Sequence, residues 1–185
     1  VRALEASPGV EVRQHDLQRD PLETAAFDLI HARLLLEHLP DRDAVLGSLV
    51  AALRPGGWLL VEDVDYVSAA GISAPGDAAE RVQAVRLREF AKLGVDPYFG
   101  RRLPERLRAH GLVEVANEGR VWVMEGGSAG ARWFDLSLQH LRDRLTAGGQ
   151  LSDADVDAAL ESFRDPAWSA FSPIVVAAWG RKRSA

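Results

Sequence analysis

Acidic and imidazole side chains gather at two points of this chain where they could bind ligands or move protons. Glu62, Asp63 and Asp65 follow the apolar run Trp58 to Val61, and His31, Arg33, Glu37 and His38 follow the apolar run Phe27 to Ile30. Carboxylates and histidines just beyond strand ends suit proton transfer and the binding of polar ligands. His31 and His38 stand seven residues apart, but two histidines without a convergent carboxylate or cysteine do not make a metal site. Glu37 and His38 also suit the start or cap of a following helix. The chain has no cysteine, which excludes disulfides, thiolate metal sites and a cysteine nucleophile. Tyr66, Tyr98 and His140 are outer candidates for proton transfer. Arg101 and Arg102 could bind an acidic group or stand as a solvated pair.

The elements that would position these residues are legible in the pattern. Phe27 to Ile30 reads as a strand buried on both faces. Asp41 or Asp43 can cap a helix carrying Val45, Leu46, Leu49, Val50 and Leu53 at helical spacing. Arg54-Pro55-Gly56-Gly57 stops it, because proline cannot continue a helix and glycine supplies positive φ. Trp58 to Val61 is the next strand. A strand-helix-strand unit of this length needs a right-handed crossover, so the two strands are expected to be parallel neighbours.

FDLIHARLLLEHLPD followed by LRPGGWLLVEDVD resembles the fourth and fifth strands of class I S-adenosylmethionine-dependent methyltransferases that act on small molecules. The spacing through LRPGG carries the resemblance most specifically, and it extends more loosely over nearly the whole chain. It implies an α/β fold: a Rossmann-like sheet with helices on both faces, an antiparallel last strand and strand order 3-2-1-4-5-7-6. Val10 to Gln14 reads as a strand leading to Asp16 and Leu17. The resemblance makes Asp16 the carboxylate that accepts from the adenine amino group of S-adenosylmethionine and Leu17 the residue whose backbone amide meets the ring. The alternative is that Asp16 only caps its own turn, but its placement before the Phe27 strand favours the cofactor. His31, Ala32 and Arg33 are implied to lie beside the methionine part of the cofactor, chiefly through backbone atoms.

The first residues, Val1 to Ala6, suit a helix tail ending at the turn signal Ser7-Pro8-Gly9. Beyond Asp65 the chain becomes irregular through Ala69 to Ile72 and turns at Pro75-Gly76. Asp77 can cap a helix to about Leu93 whose face would hold Val82, Val85, Leu87, Phe90 and Leu93. Residues 67–100 would then form a lid-like helical insert over a pocket, or their helix would be an ordinary packing helix, within one domain spanning residues 1–185. Gly100 and Pro104 frame a loop into a helix from Glu105 to His110, and one of Tyr98 and Phe99 belongs in the core. Leu112 to Met124 reads as one strand bending around Asn117 to Gly119. Gly126-Gly127 releases a helix from Ala129 to Ala147 that would bury Trp133, Leu136, Leu138, Leu141 and Leu145. Ser152 and Asp155 form a capping box for another. Ser172 to Trp179 resembles the family's seventh strand, inserted antiparallel between the fifth and sixth.

No glycine-rich turn after a first strand, and no acidic residue after a second, occurs in these residues. The resemblance places both before Val1, so the chain is expected to be an N-terminally truncated domain lacking its first two strands, with the Phe27 strand left as a poor edge. The whole protein would bind S-adenosylmethionine and methylate a small organic acceptor, with O-, N- or C-methylation open. A fragment alone would bind the cofactor weakly or not at all. A non-catalytic interaction module on the same scaffold is the alternative. A short-chain dehydrogenase needs tyrosine and lysine four apart, but Ala70 follows Tyr66 and Arg102 follows Tyr98 at that distance. A net charge of −5 gives no reason to expect nucleic acid as a partner. No apolar run approaches the roughly 20 residues of a membrane span, and no signal peptide opens the chain, so a cytoplasmic location is the default. The residues leave the oligomeric state open.

Overall fold

Apolar residues after Ala26 form β1 (Phe27–Arg33), and the helix expected next is α1 (Arg42–Ala52). This computed structural model describes residues 8–68 and 78–184. The expected helix tail at Val1 to Ala6, the turn at Pro75-Gly76 and the Asp77 cap lie outside the described residues. Asp41 takes the N-cap position of α1 without a side-chain hydrogen bond. Val45, Leu46, Leu49 and Ala52 are its buried face. Leu53 leaves the helix and opens β2 (Leu53–Asp65).

β1 and β2 are parallel neighbours, as the crossover rule requires. Their register shifts where Phe27 faces Leu53 but Leu29 faces Trp58. The surplus residues Arg54 to Gly57 therefore make a bulge inside β2 as well as ending the helix. Gly56 sits there at φ +80°, and a Cβ on Gly57 would lie 3.0–3.1 Å from three backbone carbonyl oxygens. Lys182 completes the corner, donating to the carbonyls of Ala51 at 3.1 Å and Leu53 at 2.7 Å. A cation at a helix C-terminus satisfies carbonyls that have no partner within the helix.

The remaining elements are α2 (Ala78–Lys92), α3 (Leu103–Ala109), β3 (Val113–Arg120), β4 (Val123–Glu125), α4 (Ala129–Ala147), α5 (Asp153–Ser162), β5 (Ser169–Phe171) and β6 (Ile174–Arg181). The main sheet runs β1-β2-β6-β3, with β6 antiparallel to both neighbours. The last strand thus inserts where the resemblance put it. Leu112 to Met124 is two strands rather than one. β3 pairs with β6 straight through Asn117 to Arg120, and the chain breaks at Val121-Trp122 so that β4 can pair with β5 in a separate ribbon.

Val10 to Gln14 is not a strand in this structure: it pairs with none of the described residues. An extended segment becomes a strand only beside a partner, and the sheet closes at β1 on that side. The same absence of a neighbour corrects the expectation that β1 is buried on both faces. Phe27 is 41% and Leu29 61% exposed on this free edge.

Two separate cores result. One lies under a face of the sheet, where α1 and α3 pack Leu46, Leu49, Leu103 and Leu107 against Leu59, Val61 and Ala178. Phe99 joins it at 3% exposure while Tyr98 remains at the surface. The alternate set, Leu29, Trp58, Leu60 and Trp179, lines an open groove of about 440 Å³. The second core joins α2, α4 and α5 with the β4-β5 ribbon through Val82, Val85, Phe134, Leu138, Val156 and Trp168. The expected apolar stripes shift in phase here. On α4, Ala131, Phe134, Leu138 and Leu145 face inward, leaving Trp133 and Leu136 at 42% and 52% exposure. Leu93 lies exposed just past α2, and on α2 Arg86 is buried beneath the rings of Tyr66, Phe90 and Phe134. The Ser152–Asp155 capping box forms as the sequence indicates.

Gly100 marks the tightest approach to the end of β2, since a Cβ there would lie 2.8 Å from the Asp63 carbonyl oxygen and 3.0 Å from Val64 backbone atoms. Gly100→Ala should therefore destabilise the protein by about 1–3 kcal/mol through overpacking. Gly148→Ala, at φ −82° with open space around it, should be neutral or slightly stabilising. Thermal melts of both variants beside the parent check this contrast.

Candidate active site

Because β1 and β2 run parallel and β6 starts opposite Asp65, one edge of the sheet collects the ends of β1 and β2 and the start of β6. Open α/β sheets bind ligands at this carboxyl edge. A cavity of about 220 Å³ opens there, bounded by Arg33 and Leu34 after β1, Val64 on β2, and Pro173 before β6. Gly130 and Trp133 of α4 cover it from the second core, with Trp122 and Met124 alongside.

Of the cofactor residues expected on β1, Arg33 borders this cavity, and His31 and Ala32 precede it on the strand. His31 Nε2 lies 2.7 Å from Glu62 Oε1, and Arg33 Nε lies 3.9 Å from Glu62 Oε2, so one carboxylate faces both side chains. Ala32 between them is buried. Leu34 turns the chain away at φ +49°, a sparsely populated conformation for a non-glycine residue, and its N–H donates to the Glu62 carbonyl at 2.7 Å. Non-glycine residues in this region concentrate at functional sites. Asp16 does not join this group. Its Oδ1 accepts from the Gln18 N–H at 3.0 Å, and its N–H donates to Asp20 Oδ2 at 2.8 Å, so its carboxylate caps its own turn. Leu17 packs against the α1/α3 core.

Glu37 and His38 differ from their reading as the start of a helix. They form a short 3-10 turn at Leu36–His38, and α1 begins only at Arg42. The turn is held by buried carboxylates: Asp63 Oδ1 accepts from the Leu35 N–H at 2.9 Å, and Glu37 Oε2 from the Val64 N–H at 3.3 Å. Asp63 and Glu37 are 0% and 3% exposed. Burial first, and the charge of Glu37 second, push the Asp63 carboxyl up to about 7. The half-exposed His38 lies with Nε2 3.1 Å from Glu37 Oε1, and that hydrogen bond raises its pKa. Spacing did mark this cluster, but burial of two acids is a tertiary property.

The remaining candidates are committed elsewhere. Asp65 makes a bidentate ion pair with Arg101, whose guanidinium also lies over the Tyr98 ring. Arg102 pairs with Asp96 at 2.8 Å. Tyr66 is buried and its phenol is pushed up to about 12, chiefly by desolvation. His140 is an exposed residue of α4. His31 and His38 face different carboxylates, and among the described residues no group of three or more His, Asp and Glu could hold a metal ion. Nor is any helix there long and apolar enough to cross a membrane. Trp122 and Trp133 were missed as pocket residues, because nothing in a strand-end or a helical stripe says which cavity an exposed ring will border.

A family model described as a methyltransferase domain matches residues 3–117. Methyltransferase str2 of Strobilurus tenacellus is 43% identical over 95 residues, covering 50% of this chain and 34% of that protein. The 27-O-demethylrifamycin SV methyltransferase of Amycolatopsis mediterranei is 38% identical over 84 residues, covering 45% and 30%. The match thus spans about a third of the length of these curated relatives. Among solved structures, the YcgJ protein of Bacillus subtilis superposes with a TM-score of 0.52 at 14% identity, covering 94% of this chain and 71% of that one. A candidate methyltransferase from Bacillus halodurans gives 0.53 at 16%, covering 95% and 78%.

The buried acid pair has a signed consequence. Asp63 binds its proton more tightly folded than unfolded, so the stability it contributes is full below its ordinary value of 3.8 and is lost as pH rises through about 7. His38, also raised, loses its contribution in the same direction above its ordinary 6.5. Between pH 5 and 8 the parent should therefore lose stability relative to Asp63→Asn by up to about 3 kcal/mol. Melting curves at several pH values check this, and parallel curves for the two proteins would contradict it.

Proposed function

We propose, since this chain belongs to the class I S-adenosylmethionine-dependent methyltransferase family, that the intact protein transfers a methyl group from S-adenosylmethionine to a small organic acceptor. The observation that supports it best is the cavity at the carboxyl edge of the sheet, with Arg33 and Leu34 on its wall and the His31–Glu62 pair on the adjoining strand ends. Bound S-adenosylmethionine supplies an electrophilic sulfonium methyl group. The chain's own task is to hold acceptor and methyl in line, roughly 3 Å apart, and to keep water out. Trp122, Met124 and Trp133 cover the cavity, and α4, packed with α2 and α5 in the second core, carries the helical part of that cover.

The residues present fit the cofactor at its adenine and methionine ends. Asp16 keeps about half its side chain exposed, and its second oxygen has only a loose 3.5 Å pair with Arg19. That oxygen can turn to accept an amino N–H. The backbone after β1, fixed by Glu62, would meet the methionine part. The free edge of β1, with Phe27 and Leu29 exposed, suits pairing with the strands that carry the glycine-rich turn and the ribose carboxylate in the full-length protein. A proton leaving the acceptor can pass to His31 or His38, both half-exposed; sulfonium chemistry demands no unique base.

Calorimetric titration of S-adenosylhomocysteine into the full-length protein tests this reading. Binding at roughly micromolar strength, about −8 kcal/mol, is expected, weakened several-fold by Asp16→Ala. A folded full-length protein that does not bind would overturn it and leave an interaction module on the same scaffold.

A further inference from the structure

We infer that the acceptor is a small planar aromatic compound, held by its ring faces against Trp133 and Trp122; the inference rests on the methyltransferase reading of the same site. The cavity holds about 220 Å³, below the ~300–1,000 Å³ common for drug-sized ligands, so its occupant is compact. Its wall is apolar almost throughout: Leu34, Val64, Met124, Pro173 and the two tryptophans. Ser172, one of two polar side chains there, is internally satisfied. Its hydroxyl accepts from the Trp122 N–H at 3.1 Å and donates to the Pro173 carbonyl at 2.9 Å. An acceptor carrying many hydroxyls or charges would therefore lose its water without gaining partners.

The rings at the mouth argue for shape. Trp122 and Trp133 border the cavity and remain 49% and 42% exposed, while Trp168 in the second core is 7% exposed, so these two rings have unused faces beside the cavity. Trp133 is held in place edge-to-face on Phe134, with centroids 5.0 Å apart. A preplaced ring loses little conformational freedom on binding, and flat partners gain stacking beyond the area they bury. Leu34, itself 39% exposed, extends the apolar rim on the β1 side. The other polar side chain, Arg33, is 60% exposed and only loosely paired with Glu62 at 3.9 Å. It can meet an oxygen at the ring's edge, placing a ring hydroxyl near the end of β1 where the methyl would arrive. A hydroxylated aromatic ring satisfies every one of these walls.

The probe is 2-naphthol, with its saturated, non-planar counterpart decahydro-2-naphthol as comparison, both titrated into the full-length protein by ligand-observed NMR. 2-Naphthol should bind at least several-fold more tightly than the saturated compound. Trp133→Ala should weaken it roughly five- to tenfold, with circular dichroism unchanged. Trp58→Ala, in the open groove of the sheet, should leave it unaltered. Equal binding of the two probes, or full binding by Trp133→Ala, would overturn the inference. So would sedimentation showing that a second copy of the chain covers the rim and excludes the probe. S-Adenosylhomocysteine binding measured on the same samples separates the two claims. Cofactor binding without probe binding defeats only the aromatic acceptor, whereas probe binding without cofactor binding defeats the methyltransferase reading.

Discussion

The backbone pairing of β2 on both sides carries the structure. β1 lies parallel on one side and β6 antiparallel on the other, so β2 is hydrogen-bonded along both edges and buries Leu59 and Val61 completely. A strand paired in this way cannot slip without moving its whole apolar set to the wrong face. That register places Glu62 beside Arg33 and Asp63 under the turn after β1. The candidate site is therefore an outcome of strand pairing before it is one of side-chain chemistry.

The acids at the end of β2 show how one short run can take three roles. Glu62 points to the β1 side and gathers His31 and Arg33. Asp63 points under the Leu36–His38 turn and accepts the Leu35 N–H, and Asp65 binds Arg101. Alternation along the strand and its departure into the loop separate them. Ionising Asp63 in this setting works against burial and against Glu37, a cost sustained because its backbone bond fixes the turn that carries Glu37 and His38. Buried polar groups of this sort fix a conformation more than they stabilise it.

The helical layer illustrates a different balance. α2, α4 and α5 share their own core with the β4-β5 ribbon, and it meets the sheet at the carboxyl edge, where the cavity lies. Gly126 lets the turn before α4 pack closely on the loop after α5 within this layer, since a Cβ there would lie 1.8 Å from the Asp165 carbonyl oxygen. Within the layer Arg86 is buried among three aromatic rings, and desolvation lowers its pKa. Cation–π contact offsets part of that desolvation.

Much of the architecture was legible in local pattern. The LRPGG spacing marked a parallel pair, Gly126-Gly127 and Ser152 marked helix starts, and the apolar run from Ser172 marked a last strand, because each depends on residues near one another in the chain; its antiparallel insertion was implied by the family resemblance. The pattern could not say that Val10 to Gln14 would find no partner, since strandhood requires a neighbour that no short window contains. Nor could it place Trp133 and Leu136 outside α4, because a wide apolar stripe leaves the inward direction to whichever element packs against it. The candidate site divides in the same way: His31, Ala32 and Arg33 were named by the family resemblance, and the acids after Val61 by their place at a strand end. The tryptophan walls, the buried Glu37–Asp63 pair and the sharing of Glu62 by His31 and Arg33 were decided by tertiary structure alone, for burial and convergence are properties of segments brought together from distant parts of the chain.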